Sequence, residues 1–244
     1  MIVFGVHPVE EVLRRAPRSV EELYVVGDLQ EGKFARIAEL AENRRFSVRS
    51  VSAEEMDELC EGNHQRIAAR VGSFPYASLH EVLEQVGERS PACILVLEQV
   101  QDAGNLGAIL RSAAAFGVDA VVVAKDRAAG VSAAVVRASA GMAFHVPVVQ
   151  VTNVSRALRE LKEANFWVVG TLAEGGQPIW DQDWQLRAAL VMGGEHRGIR
   201  PNVAKECDFR VTVPLQADVE SLNVSVATAV ALYDRVRSLG NTPK

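Results

Sequence analysis

Three stretches of this chain set glycines beside polar side chains in a way that could hold a nucleotide-like ligand and steer charge. The first is Gln101-Asp102-Ala103-Gly104-Asn105-Leu106-Gly107-Ala108-Ile109-Leu110-Arg111-Ser112. After a strand, a helix starting near Asn105 would present free backbone N–H groups, with Asn105 as its N-cap, Gly107 allowing close backbone approach and Arg111 on its second turn. The same residues also read as an ordinary capped helix carrying a solvated arginine. The second stretch is Met192-Gly193-Gly194-Glu195-His196-Arg197-Gly198. Paired glycines at a strand end mark a turn or a backbone pressed against a ligand, and Glu195 is a better functional candidate than the lone loop histidine His196. The third runs from Val213-Pro214-Leu215 to Ser221-Leu222-Asn223-Val224-Ser225. Its small residues suit tight helix packing, and Ser221 and Asn223 are good caps.

The elements that must position these residues follow from apolar periodicity. In the first part of the chain, 2–4, 23–26 and 46–51 read as strands and 8–15 and 33–43 as helices, followed by a further apolar stretch over 67–71. Beyond residue 91 the short apolar runs 93–97, 120–123, 145–151, 166–170, 188–192 and 209–213 alternate with amphipathic segments. Unalternated apolar strands joined by helical crossovers predict a parallel sheet covered on both faces. The fold class is therefore α/β. The division expected is a small module over 1–75, a polar, weakly helical linker over 76–90 and a larger domain over 91–244.

Composition narrows the functions. Hydrophobic residues make up 48% and charged residues 23% of 244 residues, which excludes a disordered polymer. No apolar run reaches the ~18 residues of a membrane span, and the opening Met1-Ile2-Val3-Phe4-Gly5 lacks a basic n-region, so a cytoplasmic protein is expected. Cys60, Cys93 and Cys207 have neither disulfide-framework nor metal-ligand spacing. The net charge of −5 argues against nucleic-acid binding by bulk charge while leaving room for a local basic face. Only 5 of the 26 basic residues are lysines. That excess suits phosphate recognition, and genomic base composition would give it equally. The Gly-x-Gly-x-x-Gly pattern of a dinucleotide-dependent oxidoreductase is absent.

Taken together and in this order, Asn105-x-Gly107-x-x-x-Arg111, Gly193-x-Glu195-x-x-Gly198 and Pro214 followed by Ser221-Leu222-Asn223-x-Ser225 resemble the three motifs of the SpoU (TrmH-like) branch of the SPOUT RNA methyltransferases. The resemblance covers about 94–239. At the N-terminus, Phe4-Gly5-Val6-His7 and Asn63-His64-Gln65 look like the substrate-binding module of the family's ribosomal RNA 2′-O-ribose methyltransferases. It implies a C-terminal trefoil-knotted parallel-sheet (SPOUT) domain, a rare exception to unknotted topology, preceded by a small α/β (L30e-like) domain that binds substrate. It also implies S-adenosylmethionine as cofactor, a homodimer, and methyl transfer to a guanosine of large-subunit ribosomal RNA.

By the same resemblance Gly193, Val213 and Leu222 line the cofactor pocket, with Gly170, Leu215 and Val224 as further candidates. The catalytic set is Arg111, Asn105, Glu195, Asn223 and Ser221. A guanidinium stays protonated in proteins, so Arg111 is expected to act as a cation on the target phosphate or hydroxyl rather than as a base. Asn105 would orient it, Glu195 would fix the second motif's loop or Arg111, and Asn223 and Ser221 would position substrate or cofactor. Arginines 14, 15, 18, 44, 45, 49, 66 and 70 are the phosphate partners available in the first module. Departures from the family pattern fall at Phe144, Arg66 and His196, where relatives commonly carry glutamate, glycine and glycine. The other readings are a transfer-RNA 2′-O-methyltransferase of the same superfamily and a non-catalytic RNA-binding protein.

Overall fold

The computed structural model describes residues 1–30, 32–42, 46–194 and 198–240. They form two compact units: 1–75 with 131–145, and 76–130 with 146–244. The polypeptide therefore passes between the units three times.

In the first unit β1 (Ile2–Phe4), α1 (Val6–Arg15), β2 (Val20–Val25), α2 (Ala35–Ala41), β3 (Ser47–Ser50), α3 (Ala53–Leu59) and β4 (Ile67–Val71) build a mixed sheet in the order β1-β4-β2-β3. Periodicity places Phe34 and Ile37 inward, and both are buried. Further along the chain α6 (Ala133–Ala138) and a short 3-10 turn at Met142–Phe144 belong to this unit too. Val135, Val136, Ala143 and Phe144 are buried there, with the Phe144 ring 5.2 Å from that of Phe74. Nothing in the local composition of 131–145 announces this, because burying an apolar face against a distant element is a tertiary choice.

The second unit opens with α4 (Leu79–Val86), in the stretch read as a linker. Ser78 and Glu81 form a capping box at its start, and Leu79, Val82 and Val86 join the apolar core. The chain continues through β5 (Ala92–Glu98), α5 (Ala103–Ala115), β6 (Ala120–Ala124), β7 (Val148–Val151), α7 (Val154–Glu163), β8 (Trp167–Thr171), β9 (Gln177–Pro178), β10 (Arg187–Gly193), α8 (Pro201–Ala204), β11 (Phe209–Thr212) and α9 (Val224–Ser238). Seven strands form one sheet in the order β7-β6-β5-β10-β8-β11-β9, every pair parallel. The strands β5, β6 and β10 are buried almost throughout, which is why they read as unbroken apolar runs. The strand expected over 145–151 is shorter, because His145 caps the 3-10 turn of the first unit and β7 begins only at Val148. No helix among the described residues is long and apolar enough to cross a membrane.

Candidate active site

The sheet order sets the place of the site. From β5 the chain steps outward to β6 and β7, then crosses to β8 on the far side of β10. Ligands of open parallel sheets bind beyond the carboxyl ends of the strands where the order reverses. A cavity of about 510 Å³ opens there, lined by Thr171 at the end of β8, Met192 and Gly193 at the end of β10, and Val213 after β11. Its size falls in the range of small-molecule and cofactor sites. Of the residues expected to hold the cofactor, Gly193, Val213, Leu222, Leu215 and Val224 line it, and so does Ser221. Gly170 does not. A Cβ there would run into the Cys207 side chain and approach Ile199, so this glycine is required by packing beneath the site.

Gly193 and Gly194 are glycines for a steric reason. A Cβ on the first would fall on the backbone of Gly198 and Ile199, and one on the second on the carbonyl of Gln99. The two ends of the second motif close on each other, Gly198 N donating to Gly194 O at 3.0 Å. Glu195 and His196 lie outside the described residues.

The first motif differs in detail from expectation. The cap of α5 is Asp102, whose carboxylate accepts from Asn105 N at 2.7 Å. The helix thus starts at Ala103, and Arg111 falls in its third turn rather than its second. Asn105 is freed from capping, and its side-chain oxygen accepts from Asn223 Nδ2 at 3.0 Å. Asn223 in turn caps α9, accepting from Ser225 N at 2.9 Å and from Ser225 Oγ at 2.6 Å. Ser221 and Leu222 precede that helix instead of starting it. The first and third motifs are therefore joined side chain to side chain, and α5 and α9 lie against each other beside a groove whose lining includes the small residues Ala108, Ser112, Ser225 and Ala229. Arg111 is exposed and has no hydrogen-bond or ion-pair partner among the described residues.

Sequence reasoning missed Asp102 as the cap and Thr171 as a cavity residue. Thr171 Oγ1 donates to Val191 O at 2.8 Å, tying β8 to β10 beside the cavity. A polar residue closing an apolar strand was the available signal for it.

In the first unit the two N-terminal sequence stretches meet. Gln65 Oε1 accepts from Val6 N at 2.7 Å, supplying in trans the cap that Gly5 cannot give α1. Several of the arginines have carboxylate neighbours: Arg14 bonds Glu11 at 2.9 Å, Arg49 bonds Glu55 at 3.2 Å and Arg70 lies 4.0 Å from Glu22. Arg44 and Arg45 lie outside the described residues.

A parallel sheet with a cavity of this size at the carboxyl ends of its strands, lined by a glycine pair, is the arrangement of a small-molecule or cofactor site. The comparisons make the class specific. The SpoU rRNA Methylase family matches residues 92–233, and the RNA 2′-O ribose methyltransferase substrate-binding family matches residues 2–77. The chain belongs to the SpoU rRNA methylase family. It is 41% identical over 97% of its length to 96% of the 23S rRNA (guanosine-2′-O-)-methyltransferase RlmB of Bordetella pertussis, and 35% identical over 97% of its length to 98% of the Escherichia coli K12 protein of that name. Among solved structures, the SpoU methyltransferase AviRb from Streptomyces viridochromogenes, in complex with AdoMet, superposes with a TM-score of 0.82 at 25% identity, covering 98% of this chain and 90% of that one. A TrmH/SpoU tRNA modifying enzyme of A. aeolicus covers 66% of this chain and 82% of its own, with a TM-score of 0.57.

Proposed function

We propose that this chain transfers the methyl group of S-adenosylmethionine to the ribose 2′-hydroxyl of a guanosine in large-subunit ribosomal RNA. The observation that carries the reading is the Asn223–Asn105 bridge, which joins the motif holding Arg111 to the motif lining the cavity. The cavity fits the donor: its lining combines apolar side chains (Leu172, Ile199, Val213, Leu222) with backbone at Gly193 and Gly194 that no side chain obstructs. When bound, S-adenosylmethionine supplies an electrophilic sulfonium methyl.

The residues of the chain supply orientation and charge. A ribose hydroxyl is a poor nucleophile and must attack in line, so most of the rate comes from positioning and from stabilising the developing alkoxide. Arg111, exposed and without a partner among the described residues, acts as the cation on the target phosphate or hydroxyl. Asn105 and Asn223 hold its helix in register with the cavity, Ser221 positions substrate at the cavity's edge, and Glu195 steadies the second motif. The chain's order through the sheet, with α9 returning from β11 to pack on α5, supports the expected trefoil knot.

A homodimer is part of the reading. Val226, Val230 and Tyr233 on α9 are 48%, 38% and 58% exposed and, with Phe116, form an apolar groove along α5 and α9. An apolar face next to the helix of Arg111 suits a second copy of the chain. The workplace is the cytoplasm, where ribosomal RNA is made and assembled.

The deciding experiment incubates the protein with methyl-labelled S-adenosylmethionine and either ribosomal or transfer RNA. Label in one large-subunit guanosine, with the adjacent phosphodiester resistant to alkali, is expected. Label in transfer RNA alone moves the assignment to the other branch of the superfamily, and no label in any RNA overturns it.

A further inference from the structure

We infer that Glu98 and Arg200 are positioning residues for the methyl donor, an inference that rests on the reading of the cavity given above. Glu98 closes β5, a strand that is otherwise entirely apolar, and it is fully buried. One carboxylate oxygen accepts from Arg200 Nε, while the other is shielded from solvent and has no hydrogen-bond partner among the described residues. Burying a charge is unfavourable unless it is paired, and an apolar residue would fill such a position at less cost. What a charge-assisted bond adds is a fixed direction.

Three parts of the site meet at this pair. In the sheet, Glu98 stands opposite Gly193, where the second motif begins. A Cβ on Gly194 would run into the carbonyl of Gln99 and crowd that of Glu98, so only glycine lets the two segments lie this close. Arg200 follows Gly198 and Ile199, which line the cavity, and precedes α8. That helix is itself anchored to α7, with Asn202 Nδ2 donating to Ser155 Oγ at 3.1 Å. After Glu98 the backbone turns through Gln99, at a φ of 60°, towards the Asp102 cap of α5. A single buried carboxylate thus ties the strand that launches Asn105 and Arg111 to the residue just beyond the cavity-lining Gly198 and Ile199. The pair touches neither reacting group, and it sets the distance between the two segments that do.

The test uses the full-length protein and the variants Glu98→Gln, Arg200→Gln and Arg200→Lys. Calorimetry gives the affinity for S-adenosylmethionine, and steady-state kinetics separates the KM for donor from the KM for RNA. Glu98→Gln and Arg200→Gln should each weaken donor binding about tenfold, in keeping with what small misplacements do to bound geometry. The KM for RNA should stay unchanged, Arg200→Lys should recover part of the loss, and the double glutamine variant should be no worse than either single one. Donor affinity equal to wild type in a folded Glu98→Gln or Arg200→Gln protein, whatever its melting temperature, overturns the inference. Should Glu98→Gln not fold, the partly exposed Arg200 decides alone. A wild-type protein that does not bind S-adenosylmethionine at all would instead overturn the proposed function, so the two failures are distinguishable.

Discussion

Asn223 and Asn105 are 118 residues apart in sequence and 3.0 Å apart in space, amide nitrogen to amide oxygen. Each begins a helix of the pair α5–α9: Asn105 in the first turn of one, Asn223 as the cap of the other. The bridge and the cap use different atoms of Asn223, since Nδ2 donates across and Oδ1 accepts locally.

That separation can be exploited. Asn223→Asp keeps an equally good capping oxygen and removes the donor, so melting temperature should stay near wild type while single-turnover methylation falls by about tenfold to a hundredfold. Asn223→Ala should in addition lose roughly 1 kcal/mol of stability. Equal turnover in wild type and Asn223→Asp would leave the bridge without a role in catalysis.

Arg111→Ala should abolish turnover while calorimetry still detects S-adenosylmethionine binding, because this side chain does not line the cavity. Arg111→Lys should keep a small residual rate, since the charge survives without the planar fork. Normal turnover in the alanine variant removes Arg111 from the mechanism.

A chain truncated to begin at Pro91 discards α4 and uncovers Val135, Val136 and Phe144. It should aggregate, as monitored by gel filtration. Starting instead at Tyr76 and replacing 131–145 by a short glycine-serine loop should give a folded protein that binds S-adenosylmethionine. RNA affinity, much of it owed to phosphate contacts, should be largely lost with the first unit. RNA methylation by that shortened protein at the full-length rate would show that the first unit does not read substrate.

The turn before β4 makes a prediction about strain. Ile67 N donates to His64 O at 3.1 Å, and both central residues have positive φ: Gln65 at 53° and Arg66 at 68°. That backbone favours asparagine and glycine. Arg66→Gly should therefore raise stability to urea by about 1 kcal/mol. A destabilised glycine variant would mean that the arginine side chain serves the fold.

Cys93 gives the pH dependence. Burial pushes its thiol up to about 11 from an ordinary 9.0. Between these values the unfolded chain sheds the proton and the folded one retains it, so the native state loses stability as pH rises. The slope from this thiol is about 1.4 kcal/mol per pH unit. Denaturation at pH 8, 9.5 and 10.5 should show the decline, and Cys93→Ala should lessen it without abolishing it, because burial pushes the Cys60 and Cys207 thiols up to about 11 as well.

The strands β5, β6 and β10 were legible because burial on both faces leaves only apolar residues to read. Other features depended on distant partners. Asp102 and Asn105 are equally good caps three residues apart, and the choice between them is tied to Asn223, far along the chain. Gly170 and Gly193 both sit in strands near the cavity, and only the fold shows that one packs against Cys207 while the other lines the cavity. The two-residue β9, half of it proline, carries no periodicity to detect. The family resemblance supplied the motif residues, and neither it nor periodicity pointed to Glu98.

The chain passes between its units at 75/76, 130/131 and 145/146, and this bears on how such a protein can change its target. A single recombination breakpoint near residue 75 would deliver a foreign first module onto a native 131–145 segment, mismatching Phe74 with Phe144 and leaving Val135 and Val136 against unfamiliar neighbours. A working exchange requires three coordinated junctions, an improbable event in one genetic step. New specificity in this architecture is therefore expected to accumulate by point substitution within a co-inherited pair of units, rather than by swapping one of them.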